Sequence, residues 1–323
     1  MTVMNVRRRL IAGSAAVLAT ALGLGTLSGC SGSAAADNKG AGKLDVVASF
    51  YPLQYLAEEI GGSHVNVTNL TQPGQEPHDL EISARQTARL QEADAVLYLK
   101  NLQPAVDEAV AQSGVGTKID AGSLTTLEKH GNEVGGHAAE HDHSAGEEAG
   151  AADPHVWLDP VRFGEVADGV AKALEKADPR HAGAYERNAA ALRKTFEALD
   201  GEFRAGLAHT RTRTFITTHA AFGYLAERYG LTEEAINGLD PESEPSAKRV
   251  RALESMAKAD GVTTVFYETL VSDKTAGTIA RDAGLRTDVL DPIEGITDRS
   301  KGADYVQVMR SNLKALQTAL GAR

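Results

Sequence analysis

From Asp178-Pro179 to His209 the chain keeps apolar residues at helical spacing, Tyr185, Ala189, Leu192, Phe196, Leu199, Phe203 and Leu207, with few breakers between them. This pattern predicts one continuous helix. At 1.5 Å per residue a run of roughly thirty residues makes a rod of about 40 Å, longer than an average globular helix and long enough to link two bodies. A two-chain coiled coil would also cover such a stripe, but the stripe is short for one, and the flanking sequence supplies partners within the chain.

Those flanks resemble each other. Before the rod, β-branched runs at 45–50, 65–70, 95–99 and 118–119 alternate with helical patterns at 53–60, 83–92 and 104–112. After it, strands are expected at 212–217, 234–237, 263–267 and 286–290, and helices at 220–229, 246–259, 274–283 and 303–320. Strands alternating with helices are the signature of parallel sheets covered by crossover helices. Asp159-Pro160 reads as an N-cap followed by proline at the first helical position, opening a helix to about Lys176, and Asp178-Pro179 repeats the device. The predicted fold class is therefore α/β: two similar lobes, each a small, mostly parallel sheet with flanking helices, joined by a long rigid helix.

The ends and one internal stretch break the pattern. Arg7, Arg8 and Arg9 precede an apolar run to about Leu27, and Leu27-Ser28-Gly29-Cys30 resembles a bacterial lipobox. The run is short for the roughly 20 apolar residues of a membrane-spanning helix. A signal peptide over 1–29, lipidation at Cys30 and a small, polar tether over 30–43 are expected, which places the protein outside the cytoplasm on a membrane that it touches only through its lipid anchor. Cys30 is the one cysteine of the chain, so the body carries no disulfide and no thiolate metal site. Residues 129–152 hold Gly, Ala, Glu and the histidines His130, His137, His141 and His143 with no apolar period, and are expected to form a mobile loop. The domains then read 44–178 for the N-terminal lobe including that loop, 179–208 for the linking helix and 209–323 for the C-terminal lobe.

With 42% hydrophobic and 24% charged residues the chain is not a disordered polymer, and a formal charge of −11 argues against a nucleic-acid partner and for cations or neutral ligands. Four segments place a possible metal ligand just past a strand or just before a capped helix: Gln75-Glu76-Pro77-His78-Asp79, Asp153-Pro154-His155, Thr217-Thr218-His219 and Leu290-Asp291-Pro292-Ile293-Glu294. In open α/β sheets such loops gather in the crevice beyond the carboxyl ends of the strands. Three neutral imidazoles and a carboxylate suit a borderline cation such as Zn²⁺. No local metal-binding spacing links the four, and each histidine alone would more readily be a satisfied polar or surface residue; their common placement is what joins them.

The runs PGQEPHDLE, DPHVWLDP, TTHAAFGY and LDPIEG, in this order around a long helix, resemble the solute-binding lipoproteins of zinc and manganese ABC importers, the cluster A-I metal-binding proteins. The resemblance covers nearly all of the chain after Lys43. It implies a monomeric, two-lobed protein that holds one divalent cation in the cleft between its lobes and hands it to a membrane permease with its ATPase, with no catalysis. Carried over by motif, His78, His155 and His219 are the imidazole ligands and Glu294 the carboxylate, with Asp291 the alternative. Manganese members usually carry a carboxylate where this chain has His219, so the resemblance implies a zinc-type member, with manganese or iron as alternative cargo. A surface adhesin or metal buffer would share every one of these residues. A secreted zinc hydrolase would need an open coordination position and a general base, for which Glu76 is the candidate.

Four further residues carry expectations. Glu76 either approaches the site and hydrogen-bonds a ligand imidazole or is a solvated loop acid. Trp157 is expected to fix its loop by packing, Asp159 to cap a helix, and Glu268 to face the crevice as a weak candidate. His137, His141 and His143 with Glu140, Asp142, Glu147 and Glu148 form a set of ligands without fixed geometry, read as a loose zinc-collecting cluster.

Overall fold

In a computed structural model of the chain, residues 42–131, 133–134 and 152–323 are described. The export segment, Cys30, nearly all of the tether and the loop histidines His137, His141 and His143 with their acidic neighbours lie outside the described residues.

The first lobe is a parallel sheet of β1 (Leu44–Ala48), β2 (Val65–Asn69), β3 (Ala95–Tyr98) and β4 (Thr117–Asp120) in the order β2-β1-β3-β4. Parallel neighbours need crossovers, and α1 (Tyr51–Gly61), α2 (Ala84–Glu92) and α3 (Pro104–Gln112) supply them. Residues of this region then lead to α4 (Pro160–Ala177) and α5 (Ala182–Gly206). The second sheet has β5 (Glu133–Val134), β6 (Thr214–Thr217), β7 (Thr232–Ala235), β8 (Thr264–Tyr267) and β9 (Arg286–Val289) in the order β5-β7-β6-β8-β9, with β5 alone antiparallel. Its helices are α6 (Gly223–Tyr229), α7 (Ala247–Ala259), α8 (Lys274–Ala283) and α9 (Tyr305–Leu320). In both sheets the strand order reverses at the lobe's first parallel strand, β1 or β6. That reversal parts the following loops and leaves a crevice.

The α4 helix starts as the sequence predicts: the Asp159 carboxylate accepts from the backbone N–H groups of Val161 and Arg162, and Pro160 fills a position that needs no N–H donor. The second Asp-Pro pair behaves differently. Pro179–His181 form a 3-10 turn, α5 begins at Ala182 and spans 25 residues rather than about thirty, and Asp178 makes no side-chain cap. Its carboxylate is taken instead by His181 Nδ1 at 2.6 Å, Arg180 Nε at 3.2 Å and the Tyr185 hydroxyl at 3.2 Å.

The α5 stripe Tyr185, Ala189, Leu192, Phe196, Leu199 and Phe203 is buried as its spacing predicts. It forms one cluster with Leu56 and Ile60 of α1, Phe163 of α4, Phe215 and Phe222 of the second lobe, and Tyr305 and Leu316 of α9. The two lobes thus share one core through α5, while smaller clusters around Val47 and Val96, and around Ile216 and Val265, cover the outer faces. Polar ties cross between the lobes as well. The Trp157 indole N–H donates to Pro292 O at 2.7 Å, the Tyr305 hydroxyl donates to Trp157 O at 2.5 Å, and the Arg228 guanidinium meets Asp159 at 2.6 Å.

Two expectations are corrected here. The segment 129–152 is not wholly an unstructured part of the first lobe, because Glu133 and Val134 pair with Glu234 and Glu233 and extend the second sheet. The helix expected from residue 220 begins only at Gly223; ahead of it, Ala220 N is tied to Gly238 O and Phe222 N to the Glu233 carboxylate, contacts that hold the segment against the second sheet.

Candidate metal centre

His78 lies in the loop between β2 and α2, His155 opens the 3-10 turn Val156–Leu158 ahead of α4, His219 follows β6 by two residues, and Glu294 lies beyond β9. These four, distant in sequence, meet: one ligand atom from each lies within 4.8 Å of every other. Glu294 Oε1 stands 3.3 Å from His78 Nε2, 3.5 Å from His155 Nε2 and 3.7 Å from His219 Nε2, and the Nε2 atoms of His155 and His219 are 3.3 Å apart. Ligands at about 2.0–2.2 Å around a tetrahedral centre stand roughly 3.3–3.6 Å from one another, so the spacing fits one such cation. Asp291 is not part of this group. Its carboxylate accepts from Ile293 N at 2.8 Å and the Thr269 hydroxyl at 3.3 Å, and its backbone is clasped by the Asn312 side chain. The turn it builds carries Ile293 at φ 61°, a left-handed conformation costly for a β-branched residue, and the next side chain is Glu294.

Two of the imidazoles are oriented by carboxylates behind them. Asp153 Oδ1 accepts from His155 Nδ1 at 2.7 Å and from His155 N at 2.9 Å. Glu268 Oε1 accepts from His219 Nδ1 at 2.7 Å and from the Thr218 hydroxyl. Each bond fixes the ring and leaves Nε2 for an ion, the usual arrangement behind metal-binding histidines. Glu268 therefore has a definite role where the sequence offered a weak one. It follows β8 as His219 follows β6, and these adjacent strands flank the switch point of the second sheet. Asp153 was missed as a functional residue, although its position two residues before His155 in Asp-Pro-His was the available signal.

Burial shapes the charges. His155, His219 and Glu294 are at most 1% exposed and the His78 side chain 12%. Burial opposes a charged His155, but the Asp153 carboxylate and then Glu294 outweigh it and raise its pKa to about 10. His219 is likewise raised, against burial, by Glu268 and Glu294. Burial would raise Glu294, yet its bonds to His155 and His78 hold it well below the usual carboxylate range. Glu76 makes no bond to a ligand ring. Its Oε2 accepts from Asp79 N at 3.2 Å, its Oε1 is buried without a partner among the described residues, and burial together with the Glu294 charge pushes it up to about 8. Trp157 packs edge-on against Phe50 at 4.9 Å and lies 5.2 Å from the His155 ring, so it fixes the loop as expected and also ties it to Pro292, two residues before Glu294.

The family described as "Zinc-uptake complex component A periplasmic" matches residues 46–319. The chain belongs to this family. Among the family's relatives, the zinc-binding lipoprotein AdcA of Streptococcus pneumoniae is 36% identical over 299 residues, which cover 90% of this chain and 58% of AdcA. The chain thus spans somewhat over half the length of that relative. The high-affinity zinc uptake system protein ZnuA of Bacillus subtilis is 33% identical over 294 residues, covering 88% of this chain and 90% of ZnuA. A crystal structure of the Zn(II)-bound ZnuA-like domain of Streptococcus pneumoniae AdcA superposes with a TM-score of 0.70 at 34% identity, covering 86% of this chain and 99% of that domain.

Proposed function

We propose that this protein captures zinc outside the cytoplasm and delivers it to an ABC importer, with His78, His155, His219 and Glu294 as the ligands. The observation that carries the reading is the convergence of those four ligand atoms within 4.8 Å, two of the imidazoles being backed by carboxylates. The zinc-binding relatives support it, as does imidazole at position 219 rather than a carboxylate. Four protein ligands leave no position for an activated water, which suits holding the ion rather than using it. Glu76, the base a hydrolase would need, makes no bond to a candidate ligand ring, and in the metal-free protein burial and the Glu294 charge push its carboxyl up to about 8. Lipidation of Cys30 tethers the monomeric protein beside the permease and its ATPase, with 44–178 and 209–323 as its lobes and α5 between them.

Release follows from the same geometry. A core continuous through α5 resists wide opening, so the ion leaves by local movement of loops. His78 is the most exposed of the four, and a cavity of about 210 Å³ lined by Tyr51, Asn69, Thr71 and Glu294 reaches the carboxylate of the set.

Metal content and competition affinity of the protein purified without residues 1–30 test the reading, together with single alanine variants of the four ligands. Stoichiometric, tight zinc in the parent and strong loss in each variant are expected. Parental affinity in two of the three histidine variants would refute the ligand set.

A further inference from the structure

We propose that His130 is a positioning residue of the metal centre, fixing the carboxylate that orients His155; the inference rests on the zinc-binding reading above. Asp153 divides its two oxygens. Oδ1 serves His155, and Oδ2 accepts from His130 Nδ1 at 2.6 Å. The His130 side chain is 8% exposed, and Asp153 is fully buried. A buried carboxylate bound through one oxygen can rotate about its last bond and lose its aim, whereas one bound through both cannot.

His130 is itself held from several sides. Its ring meets Tyr224 edge-on at 4.6 Å, and its Nε2 lies 3.4 Å from Glu227 Oε2, which faces solvent. The Tyr224 hydroxyl donates to Asp153 O at 2.8 Å and accepts from Glu128 N at 2.8 Å, while Asp153 N donates to Glu128 O at 2.8 Å. Gly223 makes room for the ring: a Cβ there would stand 2.5 Å from His130 Nδ1 and 2.9 Å from its Cβ. The glycine of the TTHAAFGY run thus admits a side chain from a segment more than ninety residues earlier. Three residues beyond His130, Glu133 and Val134 join the second sheet. The start of the histidine-rich segment is therefore tied to both the sheet that carries His219 and the carboxylate that orients His155.

The test compares the parent with H130F, H130N and G223A. Phenylalanine keeps the ring on Tyr224 and removes the donor. Asparagine restores a donor near the Nδ1 position without reaching Glu227. G223A displaces His130 while leaving its chemistry intact. Zinc affinity and dissociation rate are read by chelator competition, alongside thermal stability and the exchangeable His155 Nδ1 proton in the Co²⁺-loaded protein. H130F and G223A should each lose about tenfold or more in affinity, the range found when the partner of a metal-binding histidine is disturbed, with faster release and loss or broadening of the His155 proton. H130N should return affinity and signal close to the parent. Parental zinc binding in H130F overturns the inference, as does an H130N that binds no better than H130F although it is as stable as the parent. Weak zinc binding by the parent itself would instead refute the proposed function, a result the same titration separates.

Discussion

Zinc binding to this site must displace protons well above the ordinary histidine range, and acidification should weaken it from alkaline pH downward. In the metal-free protein the His155 imidazolium is held by Asp153 and Glu294, with its pKa raised to about 10 although burial opposes the charge. An ion bound at Nε2 must replace that proton. Each pH unit below 10 then adds about 1.4 kcal/mol of competition, so binding at pH 7 should be about a thousandfold weaker than at pH 10 on account of this group alone. His219 is raised too, which steepens the dependence. Calorimetric titration in buffers of different ionisation enthalpy counts the protons released, and chelator competition at fixed pH gives the affinity once the chelator's own titration is removed. At least one proton per zinc should appear at pH 8. Affinity that is flat from pH 7 to 9 with no proton released would refute the account of the site as a charge-paired cluster. The same groups set the stability of the metal-free fold. Because the folded His155 value lies above the unfolded 6.5, its contribution is full below about pH 6.5 and is lost as pH rises through about 10. Glu76 and Glu233, raised by burial to about 8 and about 7, act in the same direction, since the folded state keeps protons that the unfolded chain has released above about 4.5. Metal-free protein should therefore lose thermal stability between pH 6 and 9, and the zinc form should change less.

Three other outcomes are expected. Glu233 is buried with Oε1 bonded to Thr217 Oγ1 and Phe222 N and with Oε2 unpartnered among the described residues, so Glu233→Gln should raise stability by up to about 3 kcal/mol at pH 8.5 and by little at pH 5, as read by urea denaturation at the two pH values. Trp157→Phe keeps an aromatic ring but strips Pro292 O of its donor and leaves a void where the rest of the buried indole stood, so it should cost about 1–3 kcal/mol or more in denaturation and weaken zinc binding through the loop that carries Glu294; unchanged affinity would show that the tie does not hold that loop. Deleting 135–151, which spares His130 and β5, should remove a weak class of zinc sites and slow loading while leaving the tight class in place. Loss of the tight class in calorimetry would mean that a residue of that segment is a ligand.

The alternation of strands and helices and the long apolar stripe were legible because both are periodic, and burial follows period: every predicted strand and helix has a counterpart, with shifts of a few residues at the ends. What escaped were interactions without a period. Asp178-Pro179 has the same local signal as Asp159-Pro160, yet only Asp159 caps a helix, because His181, Arg180 and Tyr185 occupy the Asp178 carboxylate first. The segment ahead of α6 is tied down by Gly238 and Glu233, which the local sequence at 220 does not contain. The two-residue strand β5 lies in a stretch whose composition reads as loop, and only its pairing with β7 makes it a strand.

The metal centre divides in the same way. Its four candidate ligands were suggested by their place beyond recognisable elements and by the family motifs, but nothing local said which carboxylate would turn inward at Asp291-Pro292-Ile293-Glu294. The fold decides it through remote partners. Asn312 of α9 and Thr269 beyond β8 engage Asp291, and Asp291 in turn holds Ile293 N in the strained turn that precedes Glu294. Asp153, Glu268 and His130 follow the same logic, since a residue that aims a ligand is recognised by what it touches, and those contacts join segments the chain brings together only on folding. Strain at Ile293 works against folding of the empty protein, while the His155 imidazolium, paired with Asp153 and Glu294, stands where an ion's charge would be; a cation bound among the four residues takes over that pairing as the proton leaves, so that binding and deprotonation are one event.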